Sequence, residues 1–352
     1  MKKLLIINTY QLGFLTDTLK YCEHLRRDYL IDFVCFNYGY KKIQFDNVKV
    51  TYVPRPNNRA LQGALFLLVA LLRCIFYKGR IFVVYFPYCS YLKRILFWKK
   101  MNIDIRTLSV DRNEDARITA DIMLKKELSY FDSASFISQG VKSKIAADFN
   151  KISYILPLGA DSLVTKDKNF NQIKLLYVGT LYNRNIIETV KGINLFVKKY
   201  PDVPITYDII GSGFENEIEE LNDYIKNNNL STICRAHGRI PYTELKPFFD
   251  KCNIGVSYIP ITDYYQYQPP TKTYEYALSG MAVIATKTIS NESVVNEKNG
   301  ILINDNPEAF MSALEKLLIK KREFNSRVII ESVEDYRWEK IVEKYFVPII
   351  EG

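Results

Sequence analysis

Residues 268–286, QPPTKTYEYALSGMAVIAT, constrain this chain more than any other stretch. Pro269 and Pro270 stop a helix arriving from upstream, and the hydroxyl of Thr271 or Thr273 can cap a new one by accepting a first-turn N–H. The spacing predicts a helix over 272–279, ended by Gly280, and then a short buried strand over 282–286. A helix start offers unpaired N–H groups and the positive end of the helix dipole, which suits a phosphate. Lys272 adds a full charge there. Glu275 follows one turn later, where a carboxylate can accept two neighbouring hydroxyls of a ribose. Spacing alone leaves a second reading equally open: a surface helix before a core strand, with Glu275 in water.

The rest of the chain repeats one layout. Residues 3–7 (KLLII) read as a buried parallel strand, and the loop 9–13, ending at Gly13, leads to a helix over about 15–27 and a strand over 31–36. Strands follow at 48–53, 81–85 and 103–108, the last ending at Asp111 and Arg112. A new strand at 173–179 closes on Gly179, with a helix from about 186, and 205–213 closes on Gly211 and Gly213 before an acidic helix over about 215–226. In that helix Glu215, Glu217, Glu219 and Glu220 read as a solvated face. A helix over 242–252, strands at 254–258 and 299–303, and a helix over 308–321 complete the pattern. Strand–helix alternation of this kind predicts doubly wound α/β sheets, and 352 residues suit two such domains. The first turn lacks the G-x-G-x-x-G of a dinucleotide fold, which argues against an NAD enzyme.

The net charge of +9 is unevenly placed. Residues 1–160 hold 25 Lys/Arg against 13 Asp/Glu, or +12, and the remainder 23 against 26, or −3. The first half therefore expects an anionic partner. Its basic residues follow no nucleic-acid reader motif, which leaves an anionic membrane face. The apolar run 64–72 (ALFLLVALL) is shorter than the roughly 20 residues a bilayer span needs. The stretch 91–100 (YLKRILFWKK) reads either as an interfacial membrane helix or as a core-packed helix with a solvated basic face. Six cysteines without a C-x-x-C predict free, mostly buried thiols in a reducing cytoplasm, and His24 and His237 have no metal-ligand spacing.

The pattern P-x-K-x-x-E-Y-x-x-x-G-x-x-V-I-A-T, which begins at Pro270, resembles the donor-site signature of GT-B glycosyltransferases of family 4 (group 1). The resemblance extends more weakly over nearly the whole chain. It implies two Rossmann-like domains facing a cleft. The acceptor-side domain would be 1–160, completed by a crossover helix at 337–352, and the donor-binding domain 161–336. It implies that Glu275 holds the donor ribose and that Arg184 and Lys272 serve the donor diphosphate. Thr180 stands where the family carries a further cation, and an exposed loop arginine remains the other reading of Arg184. The segment 234–240 (CRAHGRI) resembles the family's nucleobase contact, so that Arg239 and Ile240 lend main-chain groups and His237 is structural. Gly13, Gly179, Thr180, Gly211, Gly213, Gln268, Pro270, Thr271 and Thr273 join the donor side. Tyr267 replaces a frequent glutamate, with Asp263, Gln266 or Gln268 as substitutes. The acceptor-side histidine is missing, and Asp111 is either its replacement or a turn residue.

The activity implied is retaining, metal-independent transfer of a sugar from a nucleotide-sugar donor, with no cofactor. The acceptor would be a saccharide, lipid-linked, in O-antigen or capsule assembly. The chain would be cytoplasmic or peripheral on the inner face of the cell membrane. Two rivals share the expected fold: a sugar-nucleotide epimerase, and a non-catalytic nucleotide-sugar-binding protein.

Overall fold

The computed structural model describes residues 1–111, 113–164, 166–213, 215–320 and 323–352, without the side chain of Glu215. The expected strand-end residue Arg112 and helix-end residue Lys321 lie outside this set. The chain forms two compact units, Met1–Leu158 with Trp338–Gly352, and Gly159–Arg337.

The first unit runs β1 (Lys2–Ile7), α1 (Thr16–Leu25), β2 (Tyr29–Phe36), β3 (Val48–Val53), α2 (Arg59–Phe76), β4 (Arg80–Val84), α3 (Ser90–Ile95), β5 (Met101–Ile105), α4 (Glu114–Leu128), β6 (Ser133–Phe136), α5 (Gln139–Ile145) and β7 (Ile152–Ile155). The strands form one parallel sheet in the order β3-β2-β1-β4-β5-β6-β7, so the winding reverses between β1 and β4. β1 is buried from Leu4 to Ile7, as a strand covered on both faces must be.

The strand expected over 103–108 stops at Ile105 because Arg106 turns inward. Its Nε lies 2.9 Å from Asp17 and its Nη1 donates to the Leu156 carbonyl at 2.7 Å. Asp104, fully buried beside it, accepts from the Ser135 hydroxyl at 2.6 Å. Burial pushes the Asp104 carboxyl up to about 6, against the pull of Arg106 and Ser135. Asp111 therefore lies well past the strand. It is exposed, and its carboxylate accepts from the Asn113 N–H at 2.8 Å, so it is a turn residue.

Two helices differ from expectation in ways that matter for function. The apolar run 64–72 sits inside an 18-residue helix, α2, which is long and apolar enough by length and composition to cross a membrane. Only Phe66, Ala70 and Cys74 are buried, while Leu61, Leu68, Leu72 and Phe76 are 51–81% exposed along the opposite stripe. The expected helix over 91–100 ends at Ile95. Buried Lys93 donates to the carbonyls of Phe97 and Lys99, both at 2.7 Å, and pairs with Asp132 at 2.8 Å, which folds 96–99 into a turn. Lys99 ties that turn to the end of α2 through the Tyr77 carbonyl at 2.7 Å. Phe97 and Trp98 stand outward on it, 73% and 59% exposed.

The second unit runs β8 (Ile173–Val178), α6 (Ile187–Lys199), β9 (Ile205–Ile210), α7 (Glu215–Asn227), β10 (Cys234–Ala236), α8 (Lys246–Lys251), β11 (Ile254–Ser257), α9 (Thr271–Leu278), β12 (Ala282–Thr286), α10 (Ile289–Glu292), β13 (Gly300–Ile303), α11 (Pro307–Lys320) and α12 (Ser326–Glu331). Its parallel sheet has the order β10-β9-β8-β11-β12-β13, reversing between β8 and β11. The chain then returns to the first unit through α13 (Trp338–Ile341), a π-helical turn (Val342–Phe346) and α14 (Val347–Glu351). Trp338 and Phe346 pack on Tyr21, at 6.0 Å edge-on and 4.1 Å stacked, and Glu351 bonds Lys2 and Tyr29. All six cysteines are free and buried.

Candidate functional site

The carboxyl edge of the second sheet is where a doubly wound fold receives its ligand, and α9 is the element fixed there. Its anchor is Tyr276. The ring is fully buried against Phe249, and its hydroxyl accepts from the Val178 N–H at 2.8 Å, joining α9 to the end of β8. Gly255 of β11 makes room for it, since a Cβ there would lie 2.2 Å from the ring. Pro270 occupies the N-cap position in an extended conformation, and no side chain caps the helix. The expected caps are therefore corrected. Thr273 is buried and bonds Ser257 at 2.6 Å and Asn291 at 2.9 Å, which removes it from a ligand-binding role. Thr271 is half-buried at the first helical position, where the Thr273 N–H donates to the Pro270 carbonyl at 3.1 Å and the N–H groups of Thr271 and Lys272 precede the first intrahelical bond.

Two cations meet at this helix start, each seated on a tyrosine. The Lys272 ammonium lies 3.9 Å from the Tyr177 ring centroid, and the Arg184 guanidinium 4.2 Å from that of Tyr265. Burial and then the neighbouring Arg184 push Lys272 well below its ordinary value, and Glu275 pulls it back. Among the described residues neither cation has a carboxylate in ion-pair contact, and the Arg184 Nη1 is buried without a hydrogen-bond partner. A protein that brings two cations together in a partly dry place has built an anion site.

Gly179 sets the close approach. A Cβ there would crowd the Lys272 ammonium at 3.1 Å, and its φ of +153° suits glycine. Gly211 packs directly against it, with an added Cβ 1.8 Å from the Gly179 carbonyl oxygen. Thr180 accepts from the Tyr182 N–H and donates to the Ser212 carbonyl, both at 3.2 Å, so it knits the two loops. A Cβ at Gly213 would meet the Glu217 carboxylate at 2.4 Å, and Glu217 accepts from the Asn183 N–H, so it leaves the solvated face expected of it.

Glu275 lies one turn into α9, half-buried, with the Tyr242 hydroxyl 3.4 Å from its Oε1. It makes no ion pair among the described residues. Burial raises its carboxyl to about 7, which outweighs the pull of Tyr242 and Lys272, and Asp161 adds to the rise. The alternative of a carboxylate standing in open water does not hold.

Other expected residues sort themselves. Arg239 is exposed and Ile240 half-buried, just past the left-handed turn at Gly238, whose carbonyl accepts from Gly211 at 2.8 Å. That contact places the loop after β10 beside the loop after β9. His237 bonds Asp208 at 2.7 Å and stacks edge-on with Phe248, a structural place. Gln268 folds back on the Tyr264 carbonyl at 3.2 Å, and Gln266 accepts from the Ile289 N–H at 2.9 Å, so both hold loops, while Asp263 is exposed. Gly13 belongs to the first unit, where its φ of +95° and an Ile43 methyl 2.3 Å from any Cβ explain it. Tyr177, Tyr265 and Tyr242, which seat the two cations and the carboxylate, escaped the sequence reading. Among 26 tyrosines no local spacing singles them out.

Residues 172–320 match the family described as Glycosyl transferases group 1. Over 263 residues the chain is 25% identical to an uncharacterised glycosyltransferase of Methanocaldococcus jannaschii. That match covers 63% of this chain and 62% of the relative, so the chain spans less than two thirds of its length. The structure is similar to a sucrose-phosphate synthase from Thermosynechococcus elongatus, with TM-score 0.80 and 14% identity over 100% of this chain and 98% of that one. It is similar to Anabaena HepE in complex with UDP-glucose, with TM-score 0.73 and 11% identity over 100% of both chains. The lipopolysaccharide outer core galactosyltransferase WaaB follows at TM-score 0.72 and 15% identity, over 99% of this chain and 100% of that one.

The fold that these neighbours share with the chain is the GT-B fold, two parallel-sheet α/β units. Residues 172–320 match the glycosyl transferases group 1 model, and the resemblance read from the signature at 270–286 agrees with that match and with the fold.

Proposed function

We propose that the chain transfers a sugar from a nucleotide-sugar donor held on the second unit to a saccharide acceptor. The observation that carries this reading is the pair Lys272 and Arg184 at the start of α9, with Glu275 one turn beyond. As the glycosidic bond to the donor breaks, negative charge grows on the leaving diphosphate. Two fixed cations and the free N–H groups of a helix start stabilise that charge more in the transition state than in the ground state. Arg184 can form two parallel bonds to phosphate, and an anion beside Lys272 favours its charged form against the burial that lowers it. Glu275, ionised, accepts the two ribose hydroxyls. Similarity to HepE, solved with UDP-glucose, supports a nucleotide-sugar donor. The family resemblance implies retention of configuration without a metal.

The acceptor in this reading is lipid-linked and the setting is surface polysaccharide assembly on the cytoplasmic face of the membrane. The outward stripe of α2, together with Phe97 and Trp98, supplies the apolar face that would rest in the lipid headgroup region. Arg94 and Lys100 lie exposed next to it.

The test is a thermal-shift screen of the full chain against UDP- and GDP-sugars, followed by transfer assays with the bound donor. A ligand that binds the native state alone raises the melting point. Glu275→Ala should lose that shift and at least about 100-fold in transfer while its circular dichroism is unchanged. Near-normal turnover in that variant would remove Glu275 from the site. Conversion of the sugar without any acceptor would instead indicate an epimerase.

A further inference from the structure

The loops that follow β1 and β2 bring four aromatic rings together at the carboxyl edge of the first sheet. Tyr10 and Phe14 stack at 5.0 Å with planes 5° apart, and Tyr38 and Tyr40 at 5.9 Å and 6°. The cross-pairs Tyr10–Tyr38, Phe14–Tyr38 and Phe14–Tyr40 lie at 6.2, 6.1 and 5.8 Å, all within 19° of parallel. Edge-on pairs are as favourable in an ordinary core, so four rings in one orientation form a distinct raft. Tyr10, Phe14 and Tyr40 are 41%, 48% and 53% exposed. The Arg55 guanidinium lies over the Tyr38 ring, 4.0 Å from its centroid.

The raft is held in place from beneath. Gln11, only 1% exposed, accepts from the Tyr38 N–H at 2.8 Å and donates to the Tyr40 carbonyl at 2.9 Å. One buried amide thus ties the loop after β1 to the loop after β2. The Asn8 side chain accepts from the Tyr10 N–H at 3.0 Å. Large rings left in water on ordered loops forgo burial that a fold normally takes, and such patches mark binding surfaces.

The chemistry of the patch selects its ligand. Tyr10, Tyr38 and Tyr40 carry phenol hydroxyls, and Arg55 adds donors over the Tyr38 ring. Burial raises the Tyr38 phenol, Arg55 opposes this, and the phenols of Tyr10 and Tyr40 push the same way as burial, so the three lie near one another. An acyl chain would gain nothing from such polar groups. The stripe of α2 and the Phe97–Trp98 turn, which have leucine, phenylalanine and tryptophan instead, suit lipid better. A pyranose has both features of the raft in complement: a face of weakly positive C–H bonds for the negative ring faces, and a belt of hydroxyls for the phenols and the guanidinium. The raft also stands beside the β1/β4 reversal, the side of a doubly wound sheet on which ligands lie.

We infer that Tyr10, Phe14 and Tyr40, stacked with Tyr38 and with Arg55 over the Tyr38 ring, form a stacking platform for a pyranose ring of the acceptor saccharide. Only the word acceptor rests on the glycosyltransferase reading; the platform itself does not.

The test is saturation-transfer NMR on the full chain with methyl β-D-glucopyranoside and methyl β-D-galactopyranoside, without donor. Transfer should concentrate on the ring C–H protons of one sugar face. It should fall by roughly threefold to tenfold in Tyr10→Ser/Tyr40→Ser and persist in Tyr40→Phe, which keeps the ring face. Equal transfer in wild type and the double variant, or none to either glycoside in wild type, overturns the platform. Loss of vesicle binding in the double variant without any glycoside signal also overturns it, in favour of a lipid contact. If the double variant does not fold, Tyr40→Ala and Arg55→Gln are read the same way. Glycoside transfer that survives while no nucleotide sugar shifts the melting point would sink the glycosyltransferase reading alone.

Discussion

The two units share a layout and use it in opposite ways. In the second, tyrosine rings are turned inward and serve as seats for Lys272 and Arg184, so that a few charges are fixed in a partly dry place. In the first, tyrosine rings are turned outward over a buried amide, and the charged groups of the interior, Arg106 between Asp17 and Asp104, stay within the scaffold. The difference teaches how recognition scales. A diphosphate is held by few contacts, each strong because it is charged and desolvated. A sugar face or a lipid surface is held by area, and area is supplied by many weak contacts that only geometry organises.

The comparison breaks most easily at the cations. Lys272→Ala or Arg184→Ala should lower kcat by about 100- to 1,000-fold with little change in the acceptor KM, measured by steady-state transfer with saturating donor. A loss confined to acceptor KM would place these cations outside the donor site. On the scaffold side, Arg106→Ala leaves Asp17 and Asp104 without their partner and should cost about 3–5 kcal/mol, read by chemical denaturation. Unchanged stability would show that the trio is not a working ion-pair network.

The pH dependence sharpens the contrast further. The Glu275 carboxyl is raised from 4.5 to about 7 in the folded chain, so between those values the native state holds a proton that the unfolded state has lost. Its contribution to stability therefore falls as pH rises through that window and levels above it. Ribose binding needs the ionised form, so donor affinity should improve as pH rises through about 7. Lys272, pushed below its ordinary value, should supply the alkaline fall. Glu275→Gln should erase the first limb and Lys272→Ala the second in calorimetric titrations. A single shared limb lost in both variants would mean that the two groups titrate as one.

The smallest effect belongs to the outward face of the first unit. Trp98→Ser with Phe97→Ser should weaken partition onto anionic vesicles by roughly tenfold or more, measured by co-sedimentation, with donor affinity unchanged. Undiminished partition would free that turn from any membrane role.

What could be read from the sequence follows the same divide. The strands at 48–53 and 282–286 fall where the apolar runs put them, and α9 starts one residue early because Pro270 itself takes the cap position. Lys272 and Glu275 were legible because their residue types and spacing carry chemistry within one turn of helix. The tyrosine seats were not, since Tyr177, Tyr242 and Tyr265 reach the site from three separate segments. α4 escaped because few of its residues are buried, and one of those is Glu127, which accepts from the Ser90 N–H. The raft escaped because loops 8–15 and 37–47 meet only through the pairing of β1 with β2. The full length of α2 escaped because its polar ends mask an apolar stripe that continues to Phe76.

Lys93 has a consequence for how the charge of this protein should be counted. Its ammonium is spent on two carbonyls and Asp132, and that of Lys99 on the Tyr77 carbonyl, while Arg94 lies over the rings of Tyr91 and Tyr130. Of the four cations in 91–100, Lys100 is the one left without such a duty among the described residues. Of these four charges the Lys93 one is offset by Asp132, while carbonyl and ring contacts orient Lys99 and Arg94 without neutralising them, so attachment at this face should still weaken as ionic strength rises.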